Sequence, residues 1–102
     1  MKVYYTPRAL RHVREISVYL REHSPSAARQ VARRIRRTIN LLGQFPESGH
    51  EGMLIGTREF VPRGLPYVIV YRREFGDIQA ITVLGIYHGA QLRPGQEAPP
   101  DE

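Results

Sequence analysis

The chain of 102 residues contains no cysteine, so disulfides, thiolate metal sites and thiol nucleophiles are excluded. That absence fits a reducing compartment. No segment approaches the ~20 apolar residues that span a bilayer. The opening "MKVYYTPRAL" lacks the long apolar stretch of a signal peptide. The expectation is a cytoplasmic protein with no membrane contact. His12, His23, His50 and His88 share no metal-ligand spacing, so neither a metal nor a cofactor is expected. "GHEGMLIG" is glycine-rich but lacks the lysine of a phosphate-binding loop. None of Ser17, Ser24, Ser26 and Ser48 lies in a sharp nucleophile turn.

Acids are scarce where cations are dense. Between Pro7 and Gly43 stand nine arginines (Arg8, Arg11, Arg14, Arg21, Arg29, Arg33, Arg34, Arg36, Arg37), opposed only by Glu15 and Glu22. The formal net charge is +5, although Glu97, Asp101 and Glu102 make the end acidic. A basic face of this kind suits an acidic partner, whether nucleic acid, an acidic protein segment or an anionic surface.

The pattern along the chain gives the order β-α-α-β-β-β. "KVYY" (Lys2–Tyr5) is short and β-prone. Thr6 and Pro7 then form a helix-start pair, and Leu10, Val13, Ile16 and Leu20 follow on one helical face, with Val18 and Tyr19 extending it. Ser24 and Pro25 repeat the start signal. Ala28, Val31, Ile35, Ile39 and Leu42 make the second apolar stripe, and Gly43 reads as its end. Residues 43–56 read as a loop pinned to the core by Phe45 and Met53. Three strands follow, at residues 57–61, 67–73 and 78–88. The middle one is apolar on both faces and therefore central. Strict alternation would put Ile78, Ala80, Thr82, Leu84, Ile86 and His88 on one face of the last strand, and Ile81, Val83, Gly85 and Tyr87 on the other. The class is α+β, an antiparallel sheet with an N-terminal helical hairpin packed on one face. The domain is expected over residues 1–92, with a flexible acidic, proline-rich tail over 93–102.

Metal-free phosphodiester cleavage needs a base, an acid and cations around the phosphorane. His88, Tyr87, Arg58 and Arg72 are the residues that could form such a set, with Arg63 as a further phosphate contact. Alternation weakens it, because Tyr87 and His88 point apart on a regular strand. His88 also reads simply as a strand end before Gly89 lets the chain turn.

Four stretches carry a family resemblance: the helix opening "TPRAL", the second opening "SPSAA" with "FPESG" after its helix, the pair "REFV" and "YVIVYR", and the ending "YHG". In this order and spacing, from about Val3 to Gln91, the chain resembles the RelE/ParE superfamily of bacterial toxins from type II toxin–antitoxin systems. The resemblance implies the same β-α-α-β-β-β fold. RelE-like members cut mRNA on the ribosome, and ParE-like members poison DNA gyrase. RelE-like enzymes commonly carry arginine in a Tyr-Arg-x-x-Tyr pattern, where this chain has Val68 between Tyr67 and Tyr71. They also carry basic residues and then a tyrosine after the last strand, where this chain reads Gly89-Ala90-Gln91. The ending His88-Gly89 looks like the ParE branch. The resemblance therefore implies a gyrase poison without a catalytic set, held in a hetero-oligomer by a ParD-like antitoxin. The antitoxin is expected on Arg14, Arg21, Arg29, Arg33 and Arg37, together with Tyr67 and Tyr71, and an open sheet edge could also accept a partner strand. The alternative is a ribosome-dependent mRNA interferase using His88, Tyr87, Arg58 and Arg72. A third reading is an inactive relative that only binds.

Overall fold

Two prolines set the helices. In the computed structural model, which describes residues 2–76 and 80–89, α1 runs over Pro7–His23 and α2 over Pro25–Gln44. Thr6 Oγ1 accepts the Ala9 N–H at 3.0 Å and Ser24 Oγ accepts the Ala27 N–H at 3.2 Å, so each hydroxyl satisfies one of its helix's unpaired first-turn donors. Pro7 and Pro25 follow, where a missing N–H costs nothing. Ser24 also closes α1, its N–H donating to Leu20 O at 2.7 Å. One residue thus ends one helix and starts the next.

Among the described residues the sheet has five strands: β1 (Lys2–Tyr5), β2 (His50–Glu51), β3 (Arg58–Phe60), β4 (Tyr67–Glu74) and β5 (Ala80–His88). Their spatial order is β1-β5-β4-β3-β2. Pairing is antiparallel except between β1 and β5, which run parallel with Lys2 opposite Ala80 and Tyr5 opposite Val83. The α+β class and element order are as expected, but the sheet is mixed. The helical hairpin is what returns the chain so that β1 and β5 lie side by side in the same direction. The short β2 lies inside the 43–56 segment expected as loop, because two residues carry no periodic signal.

The core lies between the hairpin and one sheet face. Ala9, Ile35, Ile39 and Leu42 meet Tyr67, Ile69, Tyr71, Ile81, Val83 and Ile86. Val68, Val70 and Tyr87, with Leu84 against them, cluster on the opposite face. Strict alternation fails on β5 for one reason. Val70 pairs with Gly85 but Tyr71 pairs with Val83, so Leu84 is an extra residue, a β-bulge. Ile81 and Val83 face the helices before it, and Ile86 does so after it. The expected grouping of Ile81 and Val83 with Tyr87 is therefore wrong beyond the bulge.

Three smaller expectations also change. Helix α2 passes through Gly43, where a Cβ would come within 2.9 Å of Val3 Cγ2, so this glycine permits close helix–strand approach instead of ending the helix. Phe45 and Met53 are exposed, so they do not pin the 43–56 segment. The buried Tyr71 does so: its hydroxyl donates to Pro46 O at 2.7 Å and accepts from Gly49 N at 2.9 Å. Val18, Tyr19 and Leu10 are exposed, and Ala9 is the fully buried residue of α1. Ile78 and the tail over 93–102 lie outside the described residues.

Candidate binding surfaces

The α1–β5 contact builds the first surface. Among the described residues no strand pairs with the edge of β5 beyond Tyr5, and α1 supplies substitutes. Thr6 N–H donates to Val83 O at 3.1 Å, Thr6 Oγ1 to Leu84 O at 3.1 Å, and Ile86 N–H to His12 Nδ1 at 3.1 Å. His12 must be neutral at Nδ1 to accept, and burial pushes its pKa below the ordinary value, with Glu15 opposing that shift. The Tyr87 ring meets His12 edge-on, with centroids 4.8 Å apart.

Beside this contact, His12, Glu15, Ile16, Tyr19, Tyr67, Ile86 and His88 line a groove of about 360 Å³. Tyr67 and His88 are register partners across β4 and β5, with their rings edge to face at 5.9 Å. Burial raises the Tyr67 pKa, and nearby Tyr19 adds to it. Sequence reasoning singled out Tyr67 and His88 but missed His12 and Tyr19. Their spacing to Ile16, four before and three after, is the signal that places them on one helical flank.

The proposed catalytic residues do not converge. His88 is exposed at the end of β5, on the helix side of the strand with Ile86. Tyr87 is buried on the opposite side with Val68 and Val70. Arg58 donates to the carbonyls of Glu47 and Gly49, which staples the preceding turn (Pro46–Ser48) to β3. Arg72 pairs with Glu74 at 2.8 Å. Glu74 also accepts from Thr82 at 2.7 Å, and hydrogen bonds from Thr82 and Arg72 hold its carboxyl below the usual range. Among the described residues no group of histidines and acids could hold a metal ion.

The expected docking residues separate into three sets. Arg14 and Arg21 are exposed on α1 in line with Leu10, at spacings of four and seven, and exposed Val18 lies beside them. Arg29, Arg33 and Arg37 are exposed on α2. Tyr67 borders the groove while mostly buried. Tyr71 is fully buried, so it offers no docking surface and its role is structural. An uncharged patch also stands out at the turn between β2 and β3. Gly52 N–H donates to Thr57 O at 2.8 Å, and Thr57 Oγ1 to Leu54 O at 2.6 Å, which closes the turn and leaves Ile55 wholly in solvent. No helix among the described residues is long and apolar enough to cross a membrane.

These features define a small basic α+β domain with several exposed faces suited to binding. The family model described as "ParE toxin of type II toxin-antitoxin system, parDE" matches residues 3–93. The chain belongs to that toxin family. It is 37% identical over 83 residues to the Sinorhizobium fredii protein named "Putative toxin Y4kP", which covers 81% of this chain and 85% of the relative. Its fold is similar to a chain in the structure of the chromosomal ParDE TA system from P. aeruginosa, with TM-score 0.73 and 20% identity, over 86% of this chain and 95% of that one.

Proposed function

We propose that this toxin arrests growth by poisoning DNA gyrase and that a ParD-like antitoxin neutralises it in a hetero-oligomer. The observation that carries the choice of target is the dispersal of the ribonuclease candidates. Tyr87 and His88 lie on opposite sides of β5, and Arg58 Nη2 donates to two backbone carbonyls. Acid, base and cations must surround one phosphate for cleavage, and these groups do not. A poison needs only a surface that binds a target. The likeness to the ParDE structure supports the antitoxin partner.

For the antitoxin we favour the α1 stripe of Leu10, Arg14, Val18 and Arg21 and the adjoining groove at Tyr19, Tyr67 and His88. Apolar and cationic groups alternate there, which suits an amphipathic segment carrying acids. Arg29 and Arg33 lack apolar neighbours on their own face and Arg37 has only Leu41 beside it, so this set fits that role less well.

A cleavage assay tests the target. Purified toxin, gyrase, ATP and plasmid are incubated, then treated with detergent and protease. Linear DNA that disappears when antitoxin is added is the expected result. Normally supercoiled plasmid at saturating toxin would overturn the gyrase reading and move the target to the ribosome, with His88 the first residue to replace.

A further inference from the structure

Helix α2 holds Arg29, Arg33, Arg34, Arg36 and Arg37 and not one aspartate or glutamate. Arg34 is turned toward the β3–β4 loop, where it donates to Arg63 O. The other four are exposed. At 3.6 residues per turn they fall in a sector of about 100°, turned away from Ala28, Ile35, Ile39 and Leu42. The remaining exposed positions in or beside that sector are Pro25, Ser26, Gln30, Asn40, Leu41 and Gln44. Among the described residues no carboxylate forms an ion pair with any of the four arginines.

This arrangement is costly without a ligand. Arg29 and Arg33, Arg33 and Arg37, and Arg33 and Arg36 are helical neighbours of like charge, each pair opposing the helix by roughly 0.2–0.5 kcal/mol. A polyanion would reverse that sign. The composition of the face says which kind. Protein partners are held by a desolvated core of apolar and aromatic anchors, and this sector holds no aromatic group and only Pro25 and Leu41 at its margins. Guanidinium forks match phosphate oxygens two bonds at a time, and side-chain amides also donate to phosphates. Arg29 to Arg37 spans about 12 Å along the helix, similar to the ~12 Å width of the B-DNA major groove.

We infer that the outer face of α2 binds the phosphate backbone of duplex DNA through Arg29, Arg33, Arg36 and Arg37. This contact needs no gyrase, so it stands or falls apart from the target proposed above.

The test is anisotropy of a labelled mixed-sequence duplex of about 20 base pairs, titrated with the full chain between about 50 and 200 mM salt. Four phosphate contacts predict a slope of log K against log salt of about −3.6, a fall of about 150-fold over that range. Arg33→Gln/Arg37→Gln should halve the slope, leaving a fall of about 12-fold. Arg33→Lys/Arg37→Lys should restore most of it. Arg14→Gln/Arg21→Gln removes the same charge from α1 and should leave the slope unchanged. All of these residues are exposed, and an unchanged circular dichroism spectrum with a melting temperature no lower than wild type confirms folding. Equal loss from both Gln pairs would overturn the proposal, because only net charge would then be at work. So would a wild-type chain that leaves the duplex unbound at the lowest salt. Tighter binding to polyglutamate than to the duplex would overturn it in favour of an acidic protein partner.

Discussion

The ring of His12 accepts the backbone N–H of Ile86 at 3.1 Å and stands beside β5 past the last paired residue of β1, where a longer β1 would otherwise pair. The bulge at Leu84 and the end of β1 at Tyr5 leave that edge of β5 in need of a partner, and α1 provides it from one turn after its cap. The contact couples the helical hairpin to the strand that ends in the groove. Its chemistry requires a neutral imidazole.

A pH effect follows with a definite sign. The folded pKa of His12 lies below its ordinary value because burial penalises the charged form. Between the folded pKa and ~6.5 the unfolded chain binds more protons, so stability rises with pH in that window. The contribution of His12 is complete above ~6.5 and is lost as pH falls through the folded value. Urea unfolding of wild type and His12→Asn at several pH values should show a smaller acid loss in the variant, whose amide oxygen accepts without titrating. Parallel profiles would show that His12 does not titrate against this bond.

Removing the acceptor altogether should be worse. His12→Ala leaves the Ile86 N–H unsatisfied and should cost about 1–3 kcal/mol at neutral pH, read from the urea midpoint. Hydrogen exchange at Ile86 should accelerate in the same variant.

Tyr71→Phe tests the clamp on the turn after α2. The hydroxyl donates to Pro46 O and accepts from Gly49 N in a fully buried position, so its loss strands two backbone groups. A loss of about 1–3 kcal/mol is expected, with faster exchange at the Gly49 amide. A cost near zero would show that the turn is held by Arg58 alone.

Gly85→Ala should destabilise through one ring. The added Cβ would lie 2.5 Å from the Tyr87 ring, which packs over the glycine. Crowding of this kind costs about 1–3 kcal/mol, and most of it should vanish in a Tyr87→Ala background. A thermal double-mutant cycle reads the coupling, and additive losses would place the strain elsewhere.

For function, His88→Ala should leave growth inhibition intact when the toxin is induced without antitoxin. Arg14→Glu/Arg21→Glu should weaken antitoxin binding by tenfold or more in calorimetry, since each reversed rim charge is worth about 1 kcal/mol. Loss of toxicity in the first variant, or unchanged affinity in the second, would contradict the roles given to these faces.

The two helix starts were fully legible, because Thr6-Pro7 and Ser24-Pro25 act within one turn of the chain. The central place of β4 was legible for the same local reason, its continuous apolar run. The bulge was not. It exists because residues 70 and 71 of another strand choose their partners, and no period in β5 records that choice. The candidate surfaces divided in the same way. The arginines were countable from the sequence, but their separation into an apolar-lined set on α1 and a mostly polar set on α2 required the helices to be docked. Tyr71 carried the same aromatic signal as Tyr67 and lies inside.

The sequence by itself determined where helices begin, which residues are apolar enough to form a core, and how much positive charge the surface must bear. Those properties are set by side chains within a few positions of one another. The tertiary structure alone decided that β1 runs parallel to β5, that His12 closes the edge of β5, and that Tyr87 and His88 face opposite ways. Each of these depends on contacts between residues far apart in the chain, 74 positions for His12 and Ile86 and 78 for Lys2 and Ala80, and the free energy that selects them exists only once the sheet and hairpin have met.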